Sequence, residues 1–349
     1  MIAAVLHGTR DVRLEMVPDP ILRTASDAIV RVTAACVCGS DLWRYRGIIP
    51  NSGPERIGHE FVGIVEEVGS TVENIKVGDF VIASFAISDG TCVHCRNGIP
   101  TSCVNGSWWG EKDSHGLSLD AGQSQYVRVP FADGTLMSLG DEVSPHMIPD
   151  LLSLCDVLPT GYHAAASARV SPGDTTVVVG DGAVGLCAVL AAAHRGAERI
   201  IVMSRNPRRQ KIARDFGATD IVAERGPLGV ERVLDLISSA GADAVLECVG
   251  TAESLEQAIG VVRPGGRVGH VGVPVQDRPL PTWPLFLRNI SVSGGLAPVQ
   301  HYWNLLLPSV LDGSMKPGQI FDLEVPLKEV AAGYHMMDTR AAVKTLLRC

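Results

Sequence analysis

Residues 175–196, TTVVVGDGAVGLCAVLAAAHRG, place a β-branched run directly before a glycine-rich turn and an alanine-rich segment. This order predicts a buried strand, a tight turn and a helix. The turn has GxGxxG spacing, in which the three glycines allow the turn, the approach of a pyrophosphate and close packing of helix on strand. The helix N-terminus adds free amides for phosphate groups. We therefore predict a dinucleotide site, rather than a glycine-rich turn between core elements, at Gly180, Gly182, Ala183, Val184 and Gly185.

The sequence after this turn repeats the same alternation. Strand patterns at 199–204, 243–250 and 266–274 surround a helix pattern at 207–217. Alternating strands and helices predict βαβ units and a doubly wound parallel sheet of the Rossmann type, which we place at 157–295. Short Val/Ile runs between Gly, Pro and Asp in residues 1 to about 150 predict a β-rich domain. We place 1–156 and 296–349 in this domain, although composition alone does not indicate that the C-terminal segment returns to it.

The charge and composition of the chain limit the classes of molecule that it is expected to bind. The 349 residues carry 30 Lys and Arg against 38 Asp and Glu, a formal net charge of −8, which argues against binding to nucleic acid or anionic lipid and favours a small-molecule substrate. No signal peptide or membrane span is recognisable, so we expect a cytoplasmic location. In a reducing compartment, three of the nine cysteines within twelve residues indicate a metal site rather than disulfides.

Two short motifs, CGSD at 38–41 and GHE at 58–60, carry a family resemblance. Alone, a Cys and a His are more often a buried thiol and a core histidine. Together, the run GHEFVGIVEEVGSTV resembles, gap for gap, the signature of zinc-dependent alcohol dehydrogenases in the medium-chain dehydrogenase/reductase family. The resemblance continues through the cysteine-rich segment, the glycine turn and VGVP at 271–274. It implies a GroES-like catalytic domain, zinc, a nicotinamide cofactor contacted also by Val273, and a homo-oligomer, dimer or tetramer.

The resemblance also implies a ligand set for the catalytic zinc. Cys38 and His59 match two ligands, and Glu60 matches a neighbour that approaches or replaces a ligand. We favour Asp156 over the adjacent Cys155 as third ligand, because Asp-type members carry their ligand at this distance from a TGY segment, here 160–162. Such a set leaves the fourth position open for water or substrate.

Neighbouring residues match supporting roles in that family. Asp41 matches the carboxylate that orients the ring of His59. Ser40 matches the catalytic hydroxyl that takes the alcohol proton, and the alternative is a turn hydroxyl. Many relatives continue this relay with a His five residues after the ligand Cys, where this sequence has Trp43. The outer part of the relay is therefore expected to differ.

The cysteine-rich segment has the spacing of the family's structural zinc lobe, except that Asp replaces the first Cys. We expect this lobe to hold a second zinc, because an oxygen ligand is acceptable to zinc and the other three thiolates keep their spacing. The alternative is a lobe that has lost its metal. The residues concerned are Asp89, Cys92, Cys95 and Cys103.

The sequence favours NADP(H) over NAD(H). NAD-binding units carry an Asp or Glu about 20 residues after the glycines, where it binds the ribose hydroxyls. Here that position is Ser204, followed by Arg205, Arg208 and Arg209. Guanidinium groups bind phosphate oxygens in a bidentate manner, so we predict that Ser204, Arg205 and Arg209 accommodate a 2′-phosphate. The alternative is that the arginines solvate the start of a helix.

These features predict a zinc-dependent alcohol dehydrogenase or carbonyl reductase, in which zinc polarises the oxygen of a primary or secondary alcohol, a ketone or an aldehyde. The alternatives are a zinc-free quinone or enone reductase of the same family and a non-catalytic dinucleotide-binding relative. Phe85, Trp108 and Trp109 are candidates for an aromatic substrate wall, with packing of the lobe as the alternative.

Overall fold

The computed structural model describes residues 1–51, 53–113, 116, 118–238, 240–275 and 279–349. The chain divides into two compact units, which we call the first unit (Met1–Asp156 and Pro298–Cys349) and the second unit (Val157–Ala297). In the part of the chain given by these ranges, no helix has both the length and the apolar character that a membrane span needs.

The strands are numbered along the chain and occur in both units. They are β1 Ile2–Gly8, β2 Asp11–Met16, β3 Ala28–Cys36, β4 Glu55–Arg56, β5 Phe61–Val68, β6 Phe80–Ala83, β7 Ala86–Ile87, β8 Ser107–Trp108, β9 Tyr126–Val129, β10 Leu136–Ser138, β11 Thr175–Val179, β12 Arg199–Met203, β13 Asp220–Val222, β14 Ala242–Glu247, β15 Val262–His270, β16 Ser291–Gly294, β17 Leu323–Pro326 and β18 Thr345–Arg348.

The longer helices lie in the second unit and in the C-terminal part of the first. The helices are α1 Asp41–Tyr45, α2 Val93–Arg96, α3 Ala132–Thr135, α4 Ile148–Ser153, α5 Val157–Ser167, α6 Ala183–His194, α7 Pro207–Asp215, α8 Gly226–Leu236, α9 Ala252–Val261, α10 Thr282–Arg288, α11 Val299–Leu311 and α12 Val330–Asp338.

The first unit is built around β3. This strand pairs antiparallel with β5, β9 and β18, so that the C-terminal strand enters the same sheet as the N-terminal ones. The sheet order is β10-β6-β5-β3-β18-β17, and Phe61, Val81, Val127 and Leu347 belong to its core. Because β3 ends where β5 and β18 begin, the residues that flank these strands meet at one end of the sheet.

The second unit is an all-parallel six-stranded sheet in the order β13-β12-β11-β14-β15-β16. Numbered within the unit, this is the 3-2-1-4-5-6 order of dinucleotide-binding folds, with the reversal between β11 and β14. Val177, Ile201, Val245 and Val268 fill its core. The carboxyl ends of β11 and β14 are therefore the expected ligand position.

One strand is displaced toward the N-terminus relative to its sequence pattern, since β15 begins at Val262. The pattern at 266–274 extends to Pro274, but β15 ends at His270. The backbone N–H groups of Val271 and Gly272 both donate to the carbonyl of Glu247, at 3.0 and 3.2 Å, which turns the chain out of the ladder.

Candidate active site

Four potential metal ligands meet at the end of β3 in the first unit. Cys38 lies two residues after β3, His59 and Glu60 come directly before β5, and Asp156 ends the segment that follows α4. One side-chain donor atom from each lies within 4.8 Å of all the others. His59 Nε2 is 3.6 Å from Asp156 Oδ2, and Cys38 Sγ is 3.9 Å from the same oxygen. Cys155 points elsewhere, since its thiol donates to the carbonyl of Phe61 at 3.1 Å.

Asp41 contacts two of these residues at once. Its Oδ1 lies 3.3 Å from His59 Nδ1, and its Oδ2 accepts the backbone N–H of Cys38 at 2.9 Å. Gln123 Nε2 donates to the same Oδ2 at 3.2 Å, and Tyr334 holds the Gln123 amide through a 3.0 Å hydrogen bond from its hydroxyl. With Nδ1 facing Asp41, Nε2 of His59 is directed at the cluster.

The charge environment of the cluster is strongly negative. Burial disfavours the imidazolium, but Asp41, Cys38 and Asp156 outweigh it and raise the pKa of His59 well above its ordinary value. Burial and the charge of Glu60 raise the pKa of the Cys38 thiol. Such surroundings favour a bound cation.

Lys344, which directly precedes β18, is a member of this site that the sequence motifs do not indicate. Its Nζ donates to Glu60 Oε1 at 2.7 Å and to the carbonyl of Val37 at 3.3 Å, and both charged side chains are fully buried. Glu60 Oε2 is also buried and has no hydrogen-bond partner among the described residues. The second oxygen of Glu60 is therefore available to a cation. A lysine within the apolar run AAVKTLL at 341–347 is the sequence signal that could have revealed this pair.

Ser40 and the three aromatic candidates take different positions. Ser40 is half-buried at the N-cap of α1, which its hydroxyl does not cap. Phe85 lies edge-on to His59 with ring centroids 6.5 Å apart and stacks on Trp108 at 6.1 Å. Trp109 instead packs against Phe61 in the core and donates its indole N–H to the carbonyl of Ser84. Phe85 and Trp108 therefore remain candidates for a substrate wall, and Trp109 is a packing residue.

The second cluster contains Asp89, Cys92, Cys95 and Cys103, whose donor atoms also lie within 4.8 Å of one another. Asp89 Oδ1 accepts the backbone N–H groups of Thr91 and Cys92, and Oδ2 accepts Asn105 Nδ2 at 2.7 Å. Each carboxylate oxygen has two lone pairs, so these bonds leave capacity for a metal. The backbone N–H of Cys95 is the largest of the contributions that lower the pKa of Cys92 to about 7.

The glycine turn of the second unit leaves space where a phosphate would lie. Gly180 has φ of +118°, and a Cβ on Gly185 would lie 2.2 Å from the carbonyl oxygen of Gly180, so neither position accepts a side chain without strain. A Cβ on Gly182 would meet nothing within 4 Å. Gly182 is the N-cap of α6 and offers no side chain to its first amides. The turn therefore presents backbone N–H groups to open space.

The side chains predicted to bind a 2′-phosphate differ in burial and in whether they contact other side chains. Ser204 is buried and its hydroxyl donates to Asp181 Oδ2 at 2.9 Å, while Arg209, 7% exposed, contacts Asp181 Oδ1 through Nη1 at 3.3 Å. Arg205 is exposed. Val273 is exposed in the segment after β15, beside Gly250. Asp181, the second residue of the glycine turn, is thus a member of this pocket that the GxGxxG pattern does not specify.

Comparisons with known proteins agree with this geometry. Residues 24–141 match the family model of the alcohol dehydrogenase GroES-like domain, and residues 183–311 match that of zinc-binding dehydrogenases. The chain is 36% identical to the "Probable zinc-binding alcohol dehydrogenase" of Mycobacterium tuberculosis over 96% of its own length and 84% of the relative's. It belongs to the zinc-type alcohol dehydrogenases.

Further relatives of this family support the same assignment. The chain is 33% identical to zinc-type alcohol dehydrogenase B of Aspergillus flavus, over its whole length and 81% of that protein. The solved structure of the alcohol dehydrogenase TADH from Thermus sp. ATN1 has a TM-score of 0.90 and 36% identity, with 100% of this chain and 99% of that chain covered. The predicted fold class, a GroES-like domain with a Rossmann-type parallel-sheet domain, is confirmed.

Members of this family use zinc and a nicotinamide dinucleotide, and the donors present in this chain fit both. The cluster at Cys38 offers sulfur, nitrogen and oxygen donors, the atom types that zinc prefers, together with the spare oxygen of Glu60. The open space at Gly182 fits a pyrophosphate.

Proposed function

We propose that this zinc-type alcohol dehydrogenase transfers a hydride between NADP(H) and a primary or secondary alcohol, or the corresponding aldehyde or ketone. The observation that carries the proposal is the four-donor cluster of Cys38, His59, Glu60 and Asp156. We assign the catalytic metal to Cys38, His59 and Asp156, with Glu60 as a neighbour able to approach it. We assign a second, structural zinc to Asp89, Cys92, Cys95 and Cys103.

When bound, zinc supplies Lewis acidity toward the substrate oxygen, and the nicotinamide accepts or donates the hydride. The protein's own contribution is orientation and proton transfer. Asp41 keeps Nε2 of His59 directed at the cluster through its contact with Nδ1. Ser40 Oγ is proposed to accept the alcohol proton during oxidation and to return it during reduction. Trp43 cannot continue that relay, so the proton leaves Ser40 by another route.

The stacked rings of Phe85 and Trp108 beside His59 favour substrates with an apolar or cyclic body. Their rings would bury the apolar part of such a molecule while its oxygen faces the metal ligands. We propose bulky apolar alcohols and ketones as the preferred substrate class.

The test combines zinc analysis with an activity screen. We expect the purified protein to hold one zinc ion per cluster and to oxidise or reduce members of a panel of alcohols, aldehydes and ketones. His59→Ala should lose the catalytic zinc and turnover. His335→Ala, an exposed histidine of the same unit, should lose neither.

Two results would support the alternatives. Reduction of enones by a protein that binds no zinc at Cys38 would support a quinone or enone reductase. Dinucleotide binding without turnover of any substrate in the panel would support a non-catalytic relative.

The preference for NADP(H) is supported by Ser204, which stands where NAD-binding units carry a carboxylate, and by the exposed Arg205. We expect wild type to have the higher kcat/KM with NADP. Arg205→Ala should lower kcat/KM for NADP about tenfold, equivalent to about 1.4 kcal/mol, with little effect on NAD. Ser204→Asp should reverse the preference. A wild-type preference for NAD would contradict this part of the proposal.

We also propose a homo-oligomer, dimer or tetramer. Trp283 and Phe286 on α10 are 68% and 76% exposed and stack on each other, which supports a buried position in an assembly. Sedimentation velocity of the purified protein tests the oligomeric state.

A further inference from the structure

Asp181 forms contacts with two of the three residues proposed to bind a 2′-phosphate, Ser204 and Arg209. The Ser204 hydroxyl donates to Oδ2 at 2.9 Å, and Arg209 Nη1 lies 3.3 Å from both Oδ1 and the Asp181 carbonyl oxygen. All three side chains are buried. The network joins the glycine turn to the end of β12 and to α7.

These contacts have a chemical consequence for the bound ribose. A hydroxyl has one proton, and that of Ser204 is donated to Asp181, so its oxygen is left as an acceptor. An acceptor suits a ribose 2′-hydroxyl, which can donate, and does not suit a phosphate oxygen. The Asp181 carboxylate also places a negative charge one hydrogen bond behind Ser204, where it repels a phosphate.

The contact with Asp181 also reduces the contribution that Arg209 can make to phosphate binding. Its guanidinium already balances the charge of Asp181 through a buried ion pair. Arg205, exposed and adjacent to Ser204, is the remaining guanidinium of the proposed set. The pocket therefore contains the Arg205 guanidinium, which can bind a phosphate. It also contains the negative charge of Asp181, next to Ser204, which disfavours phosphate binding.

We propose that Asp181 is a positioning residue that limits the preference of the second unit for 2′-phosphorylated dinucleotides. Removal of its charge releases the Ser204 proton and the Arg209 guanidinium toward the 2′-phosphate. The inference rests on the proposed function only in that the second unit binds a nicotinamide dinucleotide, and it applies whichever cofactor the wild type prefers.

The experiment measures binding and needs no turnover. Isothermal titration calorimetry on the full-length, zinc-loaded protein gives the Kd of adenosine 2′,5′-bisphosphate and of AMP, and their ratio reports selectivity for the 2′-phosphate. Asp181→Asn should shift this ratio at least tenfold toward the bisphosphate. A general loss of stability would weaken both ligands alike and leave the ratio unchanged.

Two control variants separate charge from structure. The double variant Asp181→Asn/Arg209→Gln has the same local net charge as wild type and lacks the Arg209 guanidinium. Most of the shift of the Kd ratio toward the bisphosphate should therefore disappear. Asp243→Asn should leave the ratio within twofold of wild type. Asp243 also pairs with an arginine, Arg263 at 2.7 Å, but it binds the N–H of Thr175 at the amino end of the sheet, opposite the glycine turn.

The inference is overturned if Asp181→Asn binds AMP as wild type does and its ratio is unchanged or shifted toward AMP. If the Asn variant is too unstable to titrate, Asp181→Ser removes the same charge with a different side chain and is judged by the same ratio. The proposal of NADP preference fails separately, if the wild-type protein itself binds AMP more tightly than the bisphosphate.

Discussion

Replacement of Lys344 by Met isolates the energetic role of the buried ion pair behind the proposed metal site. Methionine has a similar length and no charge, so Lys344→Met removes the 2.7 Å contact to Glu60 Oε1 while the side-chain volume is nearly retained. The variant leaves a fully buried carboxylate that has lost its counter-charge. Glu60 Oε2 already has no hydrogen-bond partner in the described part of the chain, so few other groups can compensate.

The loss of stability expected for Lys344→Met depends on the burial of the ion pair rather than on its N–O distance. Removal of one partner of a buried pair typically costs about 3–5 kcal/mol, because the other charge stays desolvated. Lys211 provides the matched control, since its Nζ is also 2.7 Å from a carboxylate, that of Asp215, but the two side chains are 77% and 40% exposed. An exposed pair at this i,i+4 spacing contributes about 0.3–0.5 kcal/mol.

Thermal unfolding followed by circular dichroism measures the difference on chelator-treated protein, in which no bound metal replaces the counter-charge of Glu60. For a unit of this size, about 3–5 kcal/mol corresponds to a Tm decrease of roughly 6–20 °C, against about 2 °C or less for Lys211→Met. Glu60→Gln introduced into the Lys344→Met variant should restore much of the loss, because no uncompensated charge remains. Equal Tm values for the two lysine variants, or no recovery in the double variant, would refute the reasoning.

Three further predictions concern the proposed metal ligands and the proposed catalytic hydroxyl. Cys38→Ala should reduce kcat to below about a tenth of wild type, a barrier change above about 1.4 kcal/mol, while calorimetry shows unchanged dinucleotide binding; retained turnover would exclude Cys38 as a ligand. Asp89→Cys should raise zinc retention against a chelator and raise Tm without a change in kcat, and no change in either retention or Tm would mean that Asp89 does not face a metal. Ser40→Ala should lower kcat by about 10²–10⁴-fold with zinc content unchanged, and a kcat near that of wild type would assign the proton to another group.

The sequence predicted the features that depend on neighbouring residues. The glycine turn, the strand before it and the helix after it form one local unit, and β11 and α6 begin where the pattern indicates. The run GHEFVGIVEEVGSTV identified the family together with CGSD, the cysteine-rich segment, the glycine turn and VGVP, because the spacing of residues within these motifs is specific. The fold class followed from the same local patterns and from the family resemblance.

The residues that the sequence did not predict act across long separations in the chain. Lys344 and Glu60 are 284 residues apart, and Tyr334 reaches Gln123 across 211. The contact of Lys344 with Glu60 depends on the pairing of β18 with β3, and no local pattern encodes that pairing. Asp181 was missed for a different reason, since the GxGxxG pattern leaves its second position unspecified. Its role depends on Ser204 and Arg209, which come more than 20 residues later.

The buried lysine also offsets part of the negative charge of the proposed catalytic site, to which Asp41 adds a further carboxylate. Its ligand groups, with Cys38 as thiolate and Asp156 and Glu60 as carboxylates, carry one more negative charge than a divalent zinc ion balances, and His59 adds none when neutral. Lys344, in direct contact with Glu60, supplies one positive charge without occupying a ligand position. Lys344 thus holds one oxygen of Glu60, while the other, Oε2, has no hydrogen-bond partner in the described part of the chain. The position of Lys344 therefore supports the proposal that Glu60 can approach the zinc.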